Sequence, residues 1–217
     1  MGRTCIRLIA IVPALLCLAT ARASAQQEQL FQNSWFWGVH AGGTSVGTPS
    51  ASTSNVGTIG ADWMITRTDG GLYVSYDQAS FGKLSGVADA SESSGRRPVN
   101  IRDMRTITIG GVAFPWHAGR FRPYAGLGYA LNLIGSASIA PDSANTAPPS
   151  GLNQTVDNMR SRSSIFALAG AQWQVRRSAI FAQASFIPSS NQFLITKPIT
   201  TIVAGIRYNF GSSIDDQ

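Results

Sequence analysis

Few residues of this chain are equipped for chemistry, and their spacing keeps most of them apart. The only histidines are His40 and His117, and the only cysteines are Cys5 and Cys17. Nucleophilic catalysis needs a base within hydrogen-bond reach of the nucleophile. The densest hydroxyl string, Pro188-Ser189-Ser190-Asn191, contains no histidine, and His40 has no serine within two residues. Zinc centres draw three or four ligands mostly from Cys and His, more than the two histidines supply. The expectation is a chain that is not an enzyme, with no cofactor and no metal. What remains is charge. Arg96 and Arg97, followed by Arg102 and Arg105, form a small basic cluster whose guanidinium groups suit bidentate contacts with phosphates, as in lipopolysaccharide. A solvated loop balanced by Asp89, Glu92 and Asp103 is the alternative. Asp62, Asp77 and Arg207 are the other charges of interest, because each falls on the polar side of an alternating segment.

Eight segments alternate apolar and polar residues with a period of two, which predicts strands. They run over 35–43, 57–66, 72–81, 101–114, 122–134, 164–175, 179–187 and 199–210. The fifth is the clearest: Ala125, Leu127, Tyr129, Leu131 and Leu133 alternate with Tyr124, Gly126, Gly128, Ala130 and Asn132. In the second, Ile59, Ala61, Trp63 and Ile65 oppose Thr58, Gly60, Asp62 and Met64. In the fourth, Gly110-Gly111 suggests a bulge. The eighth sets Ile202, Ala204, Ile206, Tyr208 and Phe210 against Thr201, Gly205, Arg207 and Asn209. Such a strand meets lipid on one side and a polar lumen on the other. A soluble lipocalin-like barrel would need the opposite polarity.

The N-terminus predicts an envelope address. Arg3 and Arg7 precede an apolar run over 8–18, and Ala23-Ser24-Ala25 offers a small-x-small cleavage site, the pattern of a secretory signal peptide. Cleavage after Ala25 removes both cysteines, and with them disulfides and thiolate metal sites. It also removes Arg3, Arg7 and Arg22, so 17 basic and 11 acidic residues become 14 and 11, a net charge of +3 rather than +6. The basic pI therefore makes no case for nucleic acid, and no basic tract interleaved with aromatics appears. No mature segment carries the ~18 apolar residues that a membrane helix requires. A chain with few charges can still be integral if its strands close on themselves, since closure leaves no free edge in hydrocarbon. The expected division is a signal peptide over 1–25, a periplasmic lead over 26–34, a barrel over 35–210 and a periplasmic tail over 211–217.

The connections alternate short and long, as periplasmic turns and outer loops do. Links near 67–71, 115–121 and 176–178 are short, whereas 44–56, 82–100 and 135–163 are long. In that topology Trp35, Trp37, Trp63, Trp116 and Trp173 all fall at the periplasmic side, joined by Phe114, Phe121, Tyr208 and Phe210, which predicts an aromatic girdle. Small barrels fill their interior with side chains, so Asp62, Asp77 and Arg207 are expected in a lumen network alongside His40, Gln172, Gln183 and Asn209. Gly38, Gly60, Gly126, Gly128 and Gly170 leave room there for Tyr73, Tyr124 and Phe166.

The string Phe121–Gly135 (FRPYAGLGYALNLIG) and the ending Ala204–Phe210 (AGIRYNF) resemble the small eight-stranded outer-membrane proteins: the OmpA membrane domain, OmpX, the opacity proteins and OmpW. Gly205, Tyr208 and Phe210 resemble the C-terminal assembly signal of such barrels. The resemblance implies an all-β, eight-stranded antiparallel up-and-down transmembrane barrel in the bacterial outer membrane. It also implies recognition by the barrel assembly machinery, contact with outer-membrane lipid and lipopolysaccharide, and a monomer. The function it implies is structural, adhesive or surface-binding. A narrow porin or an OmpW-like transporter of small apolar molecules is the alternative, although the inward residues expected in the outer half (His40, Asp77, Gln183, Asn132) are polar. Lipid A-modifying enzymes of this size pair a His with a Ser two residues away, and this chain has no such pair.

Overall fold

A strand buried on one face only keeps alternating residues on that face; here eight such strands close on each other. The computed structural model describes residues 31–92, 94–116, 119–140, 151–188 and 191–212. The strands are β1 (Ser34–Thr48), β2 (Ala51–Thr66), β3 (Gly70–Ala88), β4 (Arg96–Ala113), β5 (Phe121–Ile139), β6 (Ser161–Val175), β7 (Ser178–Ile187) and β8 (Ile199–Ser212), with a short helix α1 (Leu152–Asn158) between β5 and β6. Each strand pairs antiparallel with its sequence neighbours, and β8 returns to pair with β1. The closing seam sets Trp37 opposite Tyr208 and Ala41 opposite Ala204.

The barrel is turned inside out relative to a soluble protein. Val39, Ile59, Leu127, Tyr129, Ile165, Ile180 and Ile202 stand outward and are mostly exposed, with Leu127 at 72 %. Their alternation partners, including Asp62, His40 and Arg207, are buried. A contiguous apolar surface of this extent is untenable in water and matches the lipid-facing band of a membrane barrel.

The two ends differ. At the turn end, short links join β2 to β3, β4 to β5 and β6 to β7. Aromatic rings ring the wall there: Trp63 lies 5.2 Å from Trp35 and 6.2 Å from Trp37, Phe121 6.5 Å from Trp173, and Tyr208 5.2 Å from Phe210. Phe114 is not among them. It points inward, 1 % exposed, and meets Phe31 edge-on at 4.8 Å.

At the loop end the strands run well past the alternating segments. The 44–56 link shrinks to a tight hairpin at Pro49-Ser50, and the 82–100 link to residues 89–95. Gly110 and Gly111 pair with Gly128 and Leu127 without a break, so the expected bulge is absent; the register slips instead between Ser80 and Lys83 and between Ile101 and Met104. The barrel spans Ser34–Ser212, one to two residues more at each end than expected. The signal-peptide and tail segments 1–25 and 213–217, lead residues 26–30, and His117 lie outside the described residues.

Three layers fill the interior. Phe31, Phe36, Met64 and Phe114 close the turn end, and a polar layer fills the middle. Above it, Val46, Val99, Ile101, Met104, Ile134, Ile187 and Ile199 meet the loop residues Phe193, Leu194 and Ile195. The outer half of the lumen is therefore apolar, against expectation. The slip near Ile101 turns Val99 and Ile101 inward, and the β7–β8 link drops three consecutive apolar residues into the mouth.

A charge placed on the outward face should expose the band's solvent. We expect Leu127→Arg to destabilise the barrel in lipid vesicles by about 2–4 kcal/mol, measured by urea unfolding, whereas a change below about 0.5 kcal/mol would show that this face meets water.

Candidate functional site

The buried polar layer is built around one cation. Arg207 comes from β8, inward because Ile206 and Tyr208 stand outward, and is fully buried. Its Nε donates to Asp62 Oδ2 at 2.5 Å, Nη1 to Tyr124 Oη and Gln172 Oε1 at 3.2 Å each, and Nη2 to Gln183 Oε1 at 3.0 Å. Its guanidinium carbon sits 3.7 Å from the ring centre of Phe181, a cation–π contact. Tyr124 Oη donates to Gln183 Oε1, and Gln183 Nε2 donates to Tyr73 Oη at 2.6 Å. A second branch starts at His40, whose Nε2 lies 2.7 Å from Asp77 Oδ1 and whose Nδ1 is 3.7 Å from Asp62 Oδ1. Ser75 Oγ donates to Asp77 Oδ2 at 2.9 Å, and Ser75 Oγ lies 2.8 Å from Thr108 Oγ1.

The three lumen charges, Asp62, Asp77 and Arg207, thus lie in one layer, with His40 between the two carboxylates. Two glycines admit it. A Cβ on Gly38 would fall 2.7 Å from Arg207 Cγ, and one on Gly60 would collide with the His40–Asp77 pair. Likewise Gly170 faces Tyr124 and Gly128 faces Phe166, where a Cβ would stand only 2.8 Å from the ring and clash with it. A pocket of about 20 Å³ lies among Thr44, Thr58, Ser75, Asp77 and Thr201, room for a water molecule rather than a substrate. Ser75 meets the carboxylate and not the histidine, so His40 has no hydroxyl to activate through Ser75. Within this layer the described contacts pair and bury charge.

The basic cluster is divided by the fold. Arg97 does not belong to it: it is buried at the tip of the β3–β4 hairpin, its Nε donating to Asp89 Oδ2 at 2.7 Å and its Nη2 lying 3.0 Å from Glu92 Oε1. Arg96 next to it is exposed, as alternation requires. Arg102 is the extra residue at the β4 register slip and is exposed; Arg105 stands outward beside Asp103, at 3.6 Å. Asp103 in turn accepts from the backbone and hydroxyl of Ser136 at 2.9 Å each. In the assembly-signal segment, Tyr208 and Phe210 lie on the outer wall, while Gly205 faces His40.

Sequence reasoning missed three contributors. Phe31 enters the lumen ahead of β1, its carbonyl accepting from Thr66 Oγ1 and its ring lying 4.0 Å from the Arg122 guanidinium. Arg122 shares parity with inward Tyr124, which could have revealed it. Phe193–Ile195 could have been found as three apolar residues inside a polar link.

Removing one member of the central pair should be costly. Arg207→Met leaves Asp62 buried without its partner, a loss of about 3–5 kcal/mol, of which the double variant with Asp62→Leu recovers most; unfolding free energies in vesicles check both. At the hairpin tip, hydrogen bonds from Ser91, then the Arg97 guanidinium, hold the Asp89 carboxyl down from 3.8 to about 2. Its stabilisation is therefore complete above about pH 4 and lost as pH falls through about 2, so amide protection at residues 89–97, taken relative to the intrinsic exchange rate at each pH, should fall in that window and stay flat from pH 5 to 7.

No sequence-family model matches the chain, and no curated protein matches it. Solved structures do. Ail, the attachment invasion locus protein of Yersinia pestis, solved in complex with the heparin analogue sucrose octasulfate, superposes with a TM-score of 0.52 at 16 % identity, covering 83 % of this chain and 100 % of that one. Neisserial surface protein A gives 0.53 at 12 % identity, covering 81 % and 97 %. With its closed antiparallel wall, outward apolar band and filled lumen, the chain has the fold of the small eight-stranded outer-membrane β-barrel proteins.

Proposed function

We propose that the chain is a non-enzymatic β-barrel of the bacterial outer membrane that acts as a structural, adhesive or surface-binding protein through its loop end. The observation that carries this reading is the filled lumen. Aromatic, polar and apolar layers occupy it from end to end, leaving the loop end as the surface where a partner can be met. The names of the similar proteins agree with it, Ail as an attachment protein and Neisserial surface protein A as a surface protein. In this reading a signal peptide ending near Ala25 exports the chain. The barrel assembly machinery reads Gly205, Tyr208 and Phe210, and the barrel works as a monomer in outer-membrane lipid. Arg102 and Arg105, exposed on the wall above the apolar band, hold lipopolysaccharide phosphates. Arg96 stands apart at the loop end.

A second reading, transport of small apolar molecules, gains from two specific features. The loop half of the lumen is apolar, and an apolar groove of about 410 Å³ runs on the outer wall among Leu127, Tyr129, Ile165, Ala167 and Phe186. The groove lies where β6 continues above its last β7 pair, Ala167 with Phe186.

The two readings separate in two assays. Cells displaying the barrel should adhere to glycan-coated surfaces, and replacing the β3–β4 and β7–β8 tips with two-residue turns should abolish adhesion. Planar bilayers holding the protein should show no conductance steps, and vesicles no gain in uptake of an apolar dye. Dye uptake together with unchanged adhesion would favour transport and overturn surface binding.

A further inference from the structure

At the loop end, five segments converge on a cleft of about 440 Å³, within the size range of small-molecule sites. Its floor is apolar, with Val87 buried and Met159 half-buried, and Pro49 walls one side. Thr155 from α1 and Asn191 and Thr196 from the β7–β8 link supply hydroxyl and amide groups. Arg96 is the only charged residue among those lining it.

The hairpin that carries Arg96 leaves its charge available. Two arginines and two acids sit at that tip, and Arg97 holds both acids, Asp89 and Glu92. Arg96 forms no ion pair among the described residues. Ala88 pairs with Arg96 across the hairpin, and the arginine stem runs along the wall toward Gly86, where a Cβ would meet its Cβ and Cδ at an ordinary 3.5 Å. Lys197, the residue after Thr196, is exposed beside the cleft and likewise forms no ion pair among the described residues.

A free guanidinium, a rim of hydroxyl and amide groups, and a thioether-and-aliphatic floor form a complementary set. A sugar ring presents hydroxyls at its edge and C–H groups on its face, and an acidic substituent supplies the fork-shaped anion that arginine grips bidentately. We infer that this cleft binds a negatively charged saccharide, with Arg96 holding its sulfate or phosphate group. The inference deepens the surface-binding reading and rests on it.

The test uses the full barrel in detergent micelles, titrated with a sulfated disaccharide, its unsulfated parent and a phosphorylated monosaccharide, followed by calorimetry and by amide shifts. Saturable binding of the sulfated sugar, at least tenfold weaker for the parent and for Arg96→Gln but not for Arg177→Gln at the turn end, supports the site. Tighter binding of the phosphorylated sugar, with the same dependence on Arg96, supports it with a lipopolysaccharide-type ligand. No binding, or binding that Arg96→Gln leaves unchanged, overturns it. If the tip-replaced barrel loses cell adhesion while Arg96→Gln adheres normally, the cleft is refuted and the surface-binding reading stands.

Discussion

The rest of this structure depends on the seam where β8 meets β1. Seven of the eight strand pairs join neighbours in sequence; the eighth brings together residues more than 150 positions apart, such as Thr44 and Thr201. In an apolar surround, an unpaired backbone N–H or C=O costs several kcal/mol, and an open sheet would expose a full edge of them. The outward band of isoleucine, leucine and valine is therefore compatible with the fold only because the seam exists. The seam also carries side-chain chemistry, because Arg207 stands on one side of it and His40 on the other.

Closure creates an interior that side chains of one layer must fill across its width at the level of the network. The polar layer resolves this with long side chains around a single guanidinium. Such a layer has a balance to keep. Desolvating Arg207 and Asp62 is costly, and the pair is tolerable because each guanidinium nitrogen reaches an acceptor. The apolar layers above and below shield the network from water, which strengthens it and makes the loss of any member more severe.

The architecture was legible in the sequence where lipid dictates it. Along Ala125–Leu133 or Ile202–Phe210, one face must be apolar and the other must not, so the period of two is unbroken. Above the band that demand ends. Residues 82–88 are strand with glycine, serine and lysine among them, and 96–100 are strand with two arginines, a proline and an asparagine, so neither shows the alternation that hydrocarbon imposes and both read as loops. The slip at Ile101 reversed the parity beyond it, which hid the apolar mouth. The central network was legible in part: parity placed Asp62, Asp77 and Arg207 inside, but only the register brings Asp62 to Arg207. Parity sets Arg96 and Arg97 on opposite faces once β4 is known to begin there, but it could not show that Arg97 meets Asp89 and Glu92, which depends on how the hairpin tip folds.

Phe31 offers a different kind of consequence. It precedes the first strand, yet it is held by Thr66 at the end of β2, Phe114 beyond β4 and Arg122 in β5. Those three grips come together only when distant parts of the wall have found their places. The segment ahead of β1 thus acts as a latch that can engage only once those strands are in place, and its accessibility records whether they are. Any segment fused upstream hangs from that latch, with its reach measured from a fixed point inside the rim rather than from a loose chain end.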